Sequence, residues 1–106
     1  MTTPTQENRE LLTVIAYMNA APGKADELRE GLRNLIDTTL AEEGCVNYDL
    51  HESIEKPGWF TFYENWESEA HLDAHLAAPH LVDFAGRIPE LLDEDGLSVN
   101  RVRRIG

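Results

Sequence analysis

The sequence predicts an α+β domain in which a four-stranded antiparallel sheet carries helices on one face. Three observations predict it. Short apolar and β-branched runs alternate with helical periodicity in the order strand, helix, strand, strand, helical pieces, strand. The second and third strands are separated only by a short turn, which makes them a hairpin. The first strand is apolar throughout and the third carries bulky side chains on both faces, so both faces of the sheet need cover. The order is the ferredoxin-like βαββαβ pattern. Helices cover one face; a second copy, packed sheet to sheet across a two-fold axis, would cover the other and close a dimeric α+β barrel.

Taken in order, residues 1–10 are polar and aperiodic and read as an N-terminal tail. Residues 11–106 read as a single domain. "LLTVIAYMN", Leu11 to Asn19, is too short and too β-branched for a helix and is the first strand. Pro22 and Gly23 break it. From Ala25 to Glu43, Leu28, Leu32, Leu35, Ile36 and Leu40 form one helical stripe. Asp26 and Glu27 suit the first turn, and Gly44 suits the C′ position after the helix. In "CVNYDLHES", Val46, Tyr48 and Leu50 alternate with Asn47, Asp49 and His51, which defines a second strand. "IEKPG" turns the chain. In "WFTFYENW", Phe60, Phe62, Glu64 and Trp66 share one face, and Trp59, Thr61, Tyr63 and Asn65 the other. Ser68 is placed to cap a helix that begins "ESEAHLDAHL". Pro79 separates it from "HLVDFAGRIPELL", whose stripe is Leu81, Phe84, Ile88 and Leu91/Leu92. "DEDG" is expected to turn, and "LSVNRVRR" to be the last strand.

Composition narrows the function classes. Nine basic residues stand against twenty acidic ones, a net charge of −11. Nucleic acid and anionic membranes need clustered Lys and Arg, so neither is an expected partner. The one basic cluster, Arg101, Arg103 and Arg104, is small and reads as a solvated strand end. The single cysteine, Cys45, allows no intramolecular disulfide and no cysteine zinc motif, and reads as a small buried residue. "MTTPTQENRE" lacks the basic start and apolar centre of a signal peptide, and no apolar run reaches membrane-spanning length. The expected location is the cytoplasm.

"PGK" at Pro22 to Lys24, "EEGCVNYDL" at Glu42 to Leu50, "FYENWES" at Phe62 to Ser68 and "HLAAPHLVDF" at His75 to Phe84 occur in this order and spacing. Together they resemble the antibiotic biosynthesis monooxygenase domain family of dimeric α+β barrels, over roughly residues 11–104. That family includes cofactor-free monooxygenases of quinols and polycyclic phenols, haem-degrading enzymes and isomerases of small phosphorylated sugars. The fold therefore does not choose the chemistry.

The richest stretch for a site is Glu64 to Phe84, which holds three of the four histidines. Trp66 is on its own terms a core or interface aromatic; the resemblance places it on a pocket wall, stacked on a planar substrate. Some oxygenase members carry Asn four residues before this Trp, where the present chain has Phe62. Glu64 shares the face of Trp66, and an inward carboxylate needs either a partner or a raised pKa. It reads as a structural pair, or as a general base or substrate anchor. On the helical wheel Leu72 and Leu76 mark the buried side. His75 lies about 60° from Leu72, at the stripe's edge, and His71 about 100° away, toward solvent. His71 and His75 have the i, i+4 spacing of two helical metal ligands, but spacing supplies no third ligand, and no metal site is expected. His75 matches a His common in the family after the Trp and is the acid–base candidate; its structural alternative is a half-buried His bonding a carbonyl or carboxylate. His80 reads as a cap-region residue or a substrate contact. Tyr48 either packs or offers a phenol to the pocket, and Phe84 is expected on the pocket wall with Phe62.

The leading expectation is a homodimeric, cofactor-independent monooxygenase for a quinol or other small planar aromatic substrate. His75, Glu64 and Trp66 would be its catalytic residues, and Phe62, Tyr48, Phe84 and His80 its substrate contacts. An isomerase of a phosphorylated metabolite is the alternative on the same fold, with Lys24, Arg29 and Arg101 as its few cations. A non-enzymatic dimeric binding module is another. Haem-degrading members use an Asn on the first strand; the equivalent position here is Ala16, with Asn19 nearer the strand's end.

Overall fold

A computed structural model describes residues 11–106. The N-terminal tail of residues 1–10 lies outside the described residues. The elements are β1 (Leu12–Ala20), α1 (Ala25–Arg33), α2 (Ile36–Leu40), β2 (Cys45–Glu52), β3 (Trp59–Trp66), α3 (Glu69–Leu76), α4 (Pro79–Ala85), α5 (Ile88–Leu91) and β4 (Leu92–Val102). The sheet order is β2-β3-β1-β4 with every neighbouring pair antiparallel. This is the predicted α+β, ferredoxin-like arrangement.

Alternation along the strands decides which side chains meet the helices. Val14, Ala16 and Met18 of β1 pair in register with Glu64, Phe62 and Phe60 of β3. These side chains lie on the helix-covered face. Ala16, Tyr48, Phe60 and Phe62 of the sheet, Leu28, Leu32 and Leu35 of the first helical segment, and Phe84, Leu91 and Leu92 build the main core. Val14, Trp66 and Leu72 form a second cluster beside it. The other face carries Ile15, Tyr17, Trp59 and Tyr63, with Tyr17 and Trp59 exposed. It also carries a buried polar ladder. Thr13 Oγ1 donates to Asn65 Oδ1 at 2.5 Å, Asn65 Nδ2 to Asn47 Oδ1 at 2.9 Å, and Asn47 Nδ2 to Asp49 Oδ2 at 3.0 Å.

Three local expectations are corrected. The stretch from Ala25 to Glu43 is two helices rather than one. The Leu35 amide bonds the Leu32 carbonyl at 3.1 Å, an i→i−3 contact that tightens the turn and re-aims the chain, leaving Leu40 exposed. The alternation of the second strand breaks at Val46, because Cys45 pairs with Trp66 and Asn47 with Asn65, two partners adjacent in β3. "DEDG" is not a turn before the last strand but part of β4. Leu92 pairs with Ala20 and Leu97 with Met18, so residues 93–96 form an irregularity inside the strand. Gly96 permits it, since a Cβ there would sit 2.7 Å from the Asn19 carbonyl oxygen.

Candidate functional site

Between the helix-covered face of the sheet and α3 and α4 lies a cavity of about 130 Å³. Val14, Ala16 and Met18 line its floor, Leu72, Leu76 and Leu81 its roof, and Val99 and Arg101 of β4 one side. Besides Arg101, three titratable side chains come into this apolar space, Glu64, His75 and Tyr48.

Each is held by its element. Glu64 faces inward because it lies two residues from Trp66 on β3, and the Trp66 indole Nε1 donates to its Oε1 at 3.0 Å. Burial pushes the Glu64 carboxyl up to about 7, against the opposing pull of the indole N–H; the nearby charge of Glu42 pushes the same way. His75 is buried at 2% exposure on α3. Burial lowers its pKa, while Glu42 pulls the other way through a hydrogen bond of 2.6 Å to Nδ1. The ring is therefore held neutral, oriented by Glu42, with Nε2 unpartnered among the described residues. Its ring centroid lies 4.6 Å from that of Trp66 and 5.5 Å from that of Tyr48. Tyr48 stacks on Phe62 at 4.3 Å. Burial, with the negative charge of Glu64, raises its phenol well above the usual range, so Tyr48 stays a neutral donor.

Placement of α3 over this cavity depends on local chemistry. Ser68 caps the helix by accepting from the His71 amide at 3.2 Å, as its sequence position predicts. The His71 ring then lies directly over Gly44, where a Cβ would collide with it. Gly44 also has φ +82, and its carbonyl accepts the Glu67 amide at 2.9 Å. This contact fastens the turn carrying Glu42 against the helix carrying His75.

Among the expected site residues, Glu64, His75 and Tyr48 come together. Trp66 adjoins them without lining the cavity: it is fully buried, and its indole N–H donates to Glu64. Phe62 and Phe84 also do not line it. Both are core side chains, Phe62 against Tyr48 and Phe84 beside Gly31. His80 sits behind His75, with Nε2 3.0 Å from Thr39 Oγ1 and 3.4 Å from Glu42 Oε2. The helical wheel misplaced three residues. His75 is at the centre of the buried side, His71 is half-buried on Gly44, and Leu76 is 47% exposed at the cavity margin. An eight-residue helix pressed at its N-terminus onto a turn is oriented by that contact, and not by its leucines alone. Glu42 was the missed residue. No spacing rule joins it to His75, thirty-three residues away.

A profile of the family described as "Antibiotic biosynthesis monooxygenase" matches residues 11–87. The chain belongs to that family. It is 36% identical over 81 residues to "Putative monooxygenase Rv0793" of Mycobacterium tuberculosis, covering 76% of this chain and 79% of that protein. It is 32% identical over 100 residues to "Probable quinol monooxygenase YgiN" of Escherichia coli, covering 85% and 92%. The crystal structure of PA3566 from Pseudomonas aeruginosa superposes with a TM-score of 0.86 at 33% identity, covering 92% of this chain and 96% of that one. Membership in this family agrees with the resemblance read from the sequence motifs.

Proposed function

We propose that this chain is a cofactor-independent monooxygenase of a small quinol or related phenol, working as a homodimer. The observation that carries the reading is the convergence of a buried Glu64 poised near neutrality, a neutral His75 and a neutral Tyr48 on one apolar cavity. Relatives named as monooxygenases, one of them as a quinol monooxygenase, support the same class. The cavity volume favours a single ring over a polycycle, since a dry cavity of about 150 Å³ in another protein accommodates benzene.

In this reading Glu64 or His75 takes the phenolic proton, and Tyr48 donates to the remaining oxygen. The electron-rich phenolate passes an electron to dioxygen, and the two radicals combine at a ring carbon. Overall a quinol and one dioxygen become a hydroxyquinone and one water. The substrate supplies all four electrons; one oxygen atom stays on the ring. Apolar walls exclude water and raise the reactivity of the anion. The isomerase alternative finds little support. Lys24 pairs with Glu27, Arg29 with Asp26 and Glu52, and Arg101 with Glu69 and Asp73; of these only Arg101 reaches the cavity.

The test is oxygen uptake by chelator-treated protein across a panel of one- and two-ring quinols. Uptake above the enzyme-free rate, best with one ring and reduced at least ~100-fold in Glu64→Gln or His75→Gln, is expected. No uptake above autoxidation across the panel would falsify the proposal.

A further inference from the structure

Behind the cavity, side chains from two other segments meet at the Nδ1 edge of His75. Glu42 lies in the turn after α2, His75 in α3 and His80 in the first turn of α4. Glu42 Oε2 is 2.6 Å from His75 Nδ1 and 3.4 Å from His80 Nε2, and the three residues each offer a ligand atom within 4.8 Å of the other two. We propose that Glu42, His75 and His80 form a binding site for a divalent transition-metal cation of the zinc type.

The donor set carries the identity of the ligand. Two imidazoles and one carboxylate suit borderline cations rather than calcium or magnesium, and three protein ligands leave a fourth position for water. The spacing is close to what such an ion needs. Tetrahedral ligands at about 2.0–2.1 Å from the metal lie about 3.4 Å apart. The Glu42–His80 pair already has that separation. The Glu42–His75 hydrogen bond would have to open by about 0.8 Å, a side-chain rotation, as the cation replaces the proton between them. The same cation would replace the Thr39 hydroxyl on His80 Nε2.

Burial and charge favour occupancy. His75 is fixed in the interior, whereas the Glu42 and His80 side chains are 18% and 19% exposed, which leaves an entry route. Glu64 lies close enough to Glu42 for their charges to interact, and the chain carries a net charge of −11, so the surroundings attract cations. The i, i+4 pair His71 and His75 is not the site. His71 turns to Ser68 on one ring nitrogen and to the exposed Glu43 on the other.

This site stands apart from the quinol reading and constrains it. A metal on Nδ1 fixes Nε2 as an N–H donor, so a loaded His75 no longer accepts a proton at that nitrogen.

The experiment titrates the chelated, full-length chain with Zn²⁺ by calorimetry and with Co²⁺ by visible absorption. Expected are one cation per chain, an intense Co²⁺ d–d spectrum of tetrahedral type, and affinity weakened at least ~10-fold in His80→Gln and Glu42→Gln. Circular dichroism checks that each variant is folded. Glu43→Gln, at the exposed partner of His71, should bind as the wild type does. Absence of saturable one-to-one binding by the wild type overturns the proposal. So does binding that is unchanged in His80→Gln, or a weak octahedral Co²⁺ spectrum. Oxygen uptake is read on the chelated protein, so the two proposals fail independently.

Discussion

At the scale of single residues, Glu64 carries the most distinctive chemistry. Its carboxyl is raised from 4.5 to about 7 in the folded chain, so between those values the native state holds a proton that the unfolded chain has released. The stabilisation from this group is complete below pH 4.5, falls as pH rises to 7, and is flat above. Glu64→Gln abolishes that dependence. The stability of the variant relative to wild type should climb across pH 4.5 to 7, by on the order of 3 kcal/mol, and then level off. Urea unfolding at steps between pH 4 and 8 measures it; parallel curves would remove Glu64 from the list of buried titrating groups. His75 acts in the opposite sense. Its folded pKa is lowered, so it favours the native state more as pH rises toward 6.5, and this contribution cancels in the comparison. That Glu64 shares the face of Trp66 was readable from strand alternation; that this face is the one lining the cavity was not. The partners of His75 were not, because Glu42 approaches it from a different segment of the chain.

At the scale of elements, the site depends on how α3 is anchored. Ser68→Ala removes the oxygen that accepts the His71 amide and should cost about 1 kcal/mol. Gly44→Ala should cost more, about 2–4 kcal/mol, because it combines a left-handed φ with a collision against the His71 ring. Thermal and urea unfolding of the two variants tests the ranking; equal losses would mean that the His71–Gly44 contact carries nothing beyond the cap. Ser68 was legible as a cap; Gly44 takes a left-handed φ but is not the C′ residue expected, because α2 ends at Leu40 with Ala41 as its C-cap. The split at Leu35, the bulge at Val46 and the continuation of β4 through residues 93–96 were not legible. Each is a backbone adjustment to a neighbouring element, and side-chain periodicity carries no record of it.

At the scale of the whole molecule, the face of the sheet turned away from the helices bears on assembly. Tyr17 and Trp59 are exposed there beside Ile15 and Tyr63, around the buried ladder of Thr13, Asn65 and Asn47. A homodimer joined through this face would bury that surface and pair like with like across a two-fold axis. Sedimentation should give twice the chain mass of 12.0 kDa at micromolar concentration, and Tyr17→Asp should shift it toward monomer. A wild-type monomer under those conditions would count against the barrel. Among the described residues no helix is long and apolar enough to cross a membrane.

The sequence by itself determined the strand and helix order, the hairpin, the division of β3 into two faces and the family, because periodicity and local motifs are properties of contiguous residues. Only the tertiary structure decided which polar groups meet. It withdrew Phe62 and Phe84 into the core and turned Trp66 into the holder of Glu64. It also joined Glu42 and His80 to His75. Those contacts arise where α2, α3 and α4 pack together over the sheet, and long-range proximity of that kind leaves no spacing pattern in a single chain.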